Sequence, residues 1–192
     1  MLADAFDPAG YDVVHAQDCI SANAVGSCIR TVHHIDHFST PELAACHERA
    51  IVDPYAHICV SAAVAGELLN GWGIAAEVIP NGVDAQRFSD AAGPAGAAGV
   101  FAFPSTKEGF GLAAMEALAA GVPLVVSNLP VLREIFSGVA RFADDPAGLA
   151  AHLIAGLTDH NPDARKAGQA LAAHYTWSAT AAQHLNFYQR LR

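Results

Sequence analysis

Residues 99–128 read GVFAFPSTKEGFGLAAMEALAAGVPLVVSN. A hydrophobic run, 100–103, enters a polar loop from Pro104 to Glu108, then Gly109-Phe110-Gly111 and an apolar stretch at 111–120 that reads as a helix. A second hydrophobic run, 124–127, reads as the next strand. Strand, helix, strand in this order implies a parallel sheet covered by helices. Glycines at a strand-to-helix turn let backbone N–H groups come close to a ligand, and the helix N-terminus adds partial positive charge, so the turn suits an anion such as a phosphate. On its own Gly-x-Gly is weak evidence, because many such turns carry it for packing alone.

Glu116 adds a second line. Between Gly111 and Val126 it is the one ionisable residue in sixteen. A helix that is apolar all round is buried on most sides, and a carboxylate there needs a partner, since an unpaired buried charge costs several kcal/mol. Few basic residues are near in sequence, so the vicinal hydroxyls of a bound ligand are one candidate partner; a solvent-facing stripe is the other.

The same alternation extends outward. Strands are expected at 11–15, 29–33, 57–60 and 76–79, with helices at 18–26, from Pro41 and from Ser61 through Leu69. Thr40 is read as an N-cap ahead of an apolar stripe at Leu43, Cys46 and Ala50. Towards the C-terminus helices are expected at 130–136, 146–157, 162–174 and 179–191, the last capped by Ser178. Residues 91–99 are only Ala, Gly and Pro and read as a linker. The organisation expected is a first Rossmann-like domain over 1–83, a hinge and linker over 84–99, and a second domain over 100–192.

Composition narrows the function. Ten Lys and Arg stand against nineteen Asp and Glu, a formal charge of −9, which argues against nucleic acid and anionic lipid as partners. No signal peptide and no transmembrane segment is read, so a cytoplasmic location is expected. The four cysteines, Cys19, Cys28, Cys46 and Cys59, form no CxxC and are read as free thiols.

The segment Pro104-Ser105-Thr106-Lys107-Glu108-Gly109-Phe110-Gly111-Leu112, with Glu116-Ala117, Gly121, Pro123 and Ser127, resembles the signature of the retaining GT-B glycosyltransferases of family 4 (group 1): two glutamates separated by seven residues. Pro80-Asn81-Gly82-Val83-Asp84 with Phe88 resembles the family's hinge. The resemblance implies an α/β fold of Rossmann-like parallel sheets with flanking helices, of GT-B type but incomplete in both domains. It implies sugar transfer from a nucleoside diphosphate sugar to an acceptor, with retention of configuration and no metal or other cofactor. Glu116 would hold the ribose hydroxyls and Glu108 would lie beside the transferred sugar. The amides of Gly109, Phe110 and Gly111, with Leu112 following, would meet the sugar and distal phosphate. His33 would lie over the donor sugar, so Glu108 and His33 are the catalytic candidates.

One departure stands out. The resemblance implies an Arg and a Lys that clamp the diphosphate between the hinge and the EGFG segment, yet residues 50–106 hold one Lys or Arg, Arg87. Losing such contacts removes about 1.5–3 kcal/mol each, so the chain reads as truncated, with weak or absent activity; a non-catalytic nucleotide-binding or scaffold remnant is the alternative. Uncovered sheet edges would favour self-association. A competing metal reading starts from His33, His34, Asp36 and His37, with Cys46-His47; His33 and His34 point to opposite faces of a strand and would not both reach one ion, whereas His34 and His37 could if a turn intervenes, and a loop histidine cluster beside the cleft is the alternative.

Overall fold

The computed structural model describes residues 6–91, 98–158 and 161–191; residues 92–97 of the expected linker lie outside them. The chain divides into two compact units, Met1–Ile79 with Asn186–Arg192, and Pro80–Leu185. The sequence reading drew its boundary four residues later, at 83.

The first unit is a four-stranded parallel sheet in the order β1 (His15–Ala16), β2 (Ile29–Val32), β3 (Ala56–Cys59), β4 (Glu77–Val78). Its helices are α1 (Cys19–Val25), α2 (Pro41–Val52) and α3 (Ala62–Trp72). Local chemistry starts and stops them. Asp18 caps α1 by accepting from the Ser21 amide at 2.8 Å, Ser61 caps α3, and Gly73 ends α3 in the left-handed conformation. Alternation along β2 and β3 sends side chains to opposite faces, and both faces are buried. On one, Ile29, Ile58 and Ile79 pack with Phe187; on the other, Val32 and Cys59 pack with Ile51, Val64 and Leu68. Each such aliphatic side chain contributes about 1.5–3 kcal/mol by leaving water.

Several expectations are corrected here. The strands expected at 11–15 and 76–79 shrink to the two-residue β1 and β4. Thr40 precedes α2 but its side chain makes no capping bond. Leu43 is 51% exposed, and the buried face of α2 is His47, Ala50 and Ile51. Ala50 of the expected stripe is buried, with His47 and Ile51 beside it in place of Leu43 and Cys46.

The second unit carries a three-stranded parallel sheet, β5 (Phe101–Phe103), β6 (Leu124–Ser127) and β7 (Ala140–Ala143), in that order. Its helices are α4 (Ala85–Ala91), α5 (Leu112–Ala119), α6 (Pro130–Phe136), α7 (Pro146–Thr158), α8 (Pro162–His174) and the first part of α9 (Trp177–Arg190). The core is built from Leu124, Val125 and Val126 of the central strand with Met115, Leu118, Leu132 and Phe136. Two elements escape the sequence reading. Strand β7, Ala-Arg-Phe-Ala, has little strand propensity of its own and forms by pairing along β6. Helix α4 occupies the expected hinge, with Asp84 accepting from the Arg87 amide at 3.0 Å. Helix α9 starts at Trp177, and Thr176 rather than Ser178 caps it, accepting from the Ala179 amide at 3.1 Å.

The stretch before α4 is tied to the start of α9. The Val83 amide donates to the Tyr175 carbonyl at 2.8 Å and the Thr180 hydroxyl donates to the Pro80 carbonyl at 2.9 Å. Gly82 passes so close that a Cβ there would lie 2.4 Å from the Trp177 nitrogen.

Candidate functional site

The turn between β5 and α5 is shaped by packing from below. Phe110 is 2% exposed, its ring edge-on to Tyr175 with centroids 5.3 Å apart. Gly111 opens α5 at φ 90°, in the left-handed region that favours glycine. A Cβ there would sit 3.0 Å from the Phe136 ring and 3.3 Å from Leu132. The glycine that brings the backbone within reach of a ligand is therefore required twice, by its dihedral angle and by its neighbours.

This geometry aims two amides at one point. The Gly109 and Gly111 N–H groups both donate to Oε1 of Glu108, each at 3.2 Å. A single anionic oxygen thus bridges the turn at the N-terminus of α5, where the helix dipole also favours negative charge. The sequence-selected Glu108, Gly109 and Gly111 are brought together in one hydrogen-bonded loop, with the Phe110 side chain serving as its anchor and Leu112 exposed at 38%.

Glu116 lies further along the same helix. The inner face of α5 is Ala114, Met115, Leu118 and Ala119; Glu116 is outside it and partly buried. Among the described residues its carboxylate has no hydrogen-bond or ion-pair partner. Two arginines of the same unit are engaged elsewhere: Arg165 donates to the Gly121 carbonyl at 2.8 Å, and Arg133 bonds Asn128 and stacks over Phe142 at 4.7 Å.

His33 belongs to the first unit, just past the end of β2. It is partly buried and its Nε2 lies 3.0 Å from Oε1 of Gln17. Burial, with the neighbouring His34 and Arg30, pushes its pKa below the usual histidine value, so the ring is neutral at pH 7. Exposed His34 pairs with Asp36 at 3.1 Å. Among the described residues no group of three His, Cys, Asp or Glu side chains is arranged to hold a metal ion, so the histidine-cluster reading finds no site there. The cysteines are all free.

A cavity of about 430 Å³ opens at the C-terminal ends of β5, β6 and β7, with Ser105, Thr106, Ser127, Asn128, Asp144 and Asp145 among its lining. None of the site residues chosen from the sequence lines it. Asn128 and Asp144 carried no sequence signal, because their pairing depends on β7, the strand that could not be read.

Two parallel sheets, each covered by helices, and a glycine turn that opens a helix fit the GT-B class of glycosyltransferase fold, to which the solved structures below are similar. Two family models agree: Glycosyltransferase Family 4 over residues 1–87 and Glycosyl transferases group 1 over residues 95–170. The chain belongs to the group 1 glycosyltransferases. It is 36% identical over 99 residues to the O-antigen chain mannosyltransferase B of Escherichia coli, a stretch that is 50% of this chain and 26% of that protein. It is 40% identical over 92 residues to the glycogen synthase of Mycobacterium tuberculosis, 44% of this chain and 22% of that protein. The chain therefore matches about a quarter of the length of these curated relatives. Among solved structures, sucrose-phosphate synthase of Thermosynechococcus elongatus superposes with a TM-score of 0.73 at 14% identity, covering 95% of this chain and 74% of that one. Anabaena HepE in complex with UDP-glucose does so at 0.71 and 15% identity, covering 94% and 79%. These likenesses establish a shared fold. No helix among the described residues is long and apolar enough to cross a membrane.

Proposed function

We propose that this chain is a nucleotide-sugar-binding glycosyltransferase relative that transfers, with retention of configuration and at a low rate, the sugar of a nucleoside diphosphate sugar to an acceptor. The observation that carries the reading is the pairing on one short helix of a two-amide anion cradle at its start with an unpartnered, half-buried carboxylate, Glu116, on its side. A nucleoside diphosphate sugar offers both complements: phosphate oxygens for the amides and a vicinal diol for the carboxylate. The donor of that kind seen with HepE supports the choice of ligand class.

In this reading Glu108 holds the cradle in the free protein and yields it to the ligand, then lies beside the transferred sugar. The backbone amides and helix N-terminus meet the developing charge of the leaving diphosphate, so no metal or organic cofactor is called for. That stabilisation is incomplete. Between Pro80 and Thr106 the chain has one Lys or Arg, Arg87, and a missing donor to a leaving group costs about 10²–10³ in rate. The reading keeps the chain in the cytoplasm and includes self-association along β5, which among the described residues pairs only with β6.

Calorimetric titration with UDP-glucose and GDP-mannose, followed by a donor-hydrolysis assay, tests it. Weak binding of one donor with slow turnover is the expected result. Fast turnover would overturn the low-rate element, and absence of binding to any nucleoside diphosphate sugar would overturn the function.

A further inference from the structure

A chain of polar side chains stands behind His33 in the first unit. Gln17, just past β1, places its amide nitrogen 3.2 Å from Nε2 of His15 and its amide oxygen 3.0 Å from Nε2 of His33. His15 also has its Nε2 2.7 Å from the Thr31 hydroxyl and its Nδ1 2.6 Å from the Tyr188 hydroxyl. A carboxamide nitrogen only donates and its oxygen only accepts. His15 Nε2 is therefore the bare nitrogen, receiving from Gln17 and Thr31, and its proton sits on Nδ1 and goes to Tyr188. The Gln17 oxygen, in turn, requires a proton on Nε2 of His33. The other ring nitrogen, Nδ1, makes no hydrogen bond among the described residues.

We infer that Gln17, oriented by His15, is a positioning residue that locks His33 as the Nε2–H tautomer and so leaves Nδ1 as the acceptor for a hydroxyl of the bound donor sugar. The last clause rests on the function proposed above; the tautomer lock does not. With the proton fixed on Nε2, the ring presents a lone pair and no proton at Nδ1. The lock also gives work to His15 and Gln17, which otherwise sit at a strand end with no part in the core.

Two-bond ¹⁵N–¹H correlation spectra of the histidine rings at pH 8 read the tautomer directly. The unmodified chain should show His33 protonated on Nε2 alone. Gln17→Leu, at an exposed position where folding is not at stake, should shift the His33 nitrogens towards tautomer-averaged values. Gln17→Glu, which keeps an acceptor oxygen, should retain the lock. UDP-glucose should bind Gln17→Leu about five- to tenfold more weakly, the size of one hydrogen bond, with Gln17→Glu closer to the unmodified chain. A His33 protonated on Nδ1 in the unmodified chain, or spectra unchanged in Gln17→Leu, overturns the lock. A tautomer that moves as described while UDP-glucose affinity stays constant overturns the sugar contact and leaves Gln17 as the residue that sets the His33 ring.

Discussion

Glu108 and Glu116, eight residues apart, should respond to mutation in opposite ways. Glu108 sits on the Gly109 and Gly111 amides, so Glu108→Ala exposes the cradle and should raise affinity for UDP while abolishing any sugar transfer. Glu116→Ala removes a grip on the ribose and should lower UDP affinity roughly tenfold to a hundredfold, the equivalent of about 1.5–3 kcal/mol for a charged hydrogen bond. Titration of UDP into both variants separates these outcomes. The thiols divide as sharply. Burial pushes Cys59 up to about 12 and raises Cys28, so a thiol reagent should label the partly exposed Cys19 and Cys46 in the folded chain and reach the other two only on unfolding. Two histidines set the pH response of the first unit. Burial lowers the pKa of both His33 and His57, and the His57 Nε2–H is held by the Ile51 carbonyl at 2.8 Å. The unfolded rings take up protons near pH 6.5 when the folded ones do not, so stability is present above that pH and falls as pH drops through and below it. Melting curves at pH 7.5 and 5.5 should show the loss, and His57→Gln should make it shallower.

Turns and caps are where the elements are decided. Gly111→Ala combines a left-handed dihedral with a contact on Phe136; it should cost about 2–4 kcal/mol and displace the cradle amides as well, so denaturant melts and UDP affinity should fall together. Thr176→Ala should cost about 1 kcal/mol as a lost cap on α9, whereas Ser178→Ala should be nearly silent. The helices at 130–136 and 162–174 were legible to the residue because Pro at the start and a clear apolar rhythm mark them. Strand β7 was not, since Ala-Arg-Phe-Ala takes its conformation from β6. Nor was the whole buried face of α2, where His47 and Ile51 join the expected Ala50, nor the role of Gln17, whose partners lie on two different strand ends. The EGFG turn was legible because its residues serve a local geometry; the occupancy of its amides by Glu108 was not, because a side chain folding back onto its own loop leaves no mark on spacing.

For the molecule as a whole, the two units carry different parts of the proposed function: His33 and its supporting network in the first, and the anion cradle with Glu116 in the second. The side of β5 that is unpaired among the described residues should make association depend on concentration; size-exclusion chromatography over a hundredfold dilution checks this, and a monomer throughout would count against it. The central claim is that a half-buried carboxylate on α5 receives the ribose of a nucleoside diphosphate. Calorimetric titration of UDP into the unmodified chain and into Glu116→Ala addresses it most directly. Measurable binding that weakens at least tenfold in the variant is the expected result; equal affinity in the two proteins would contradict the claim.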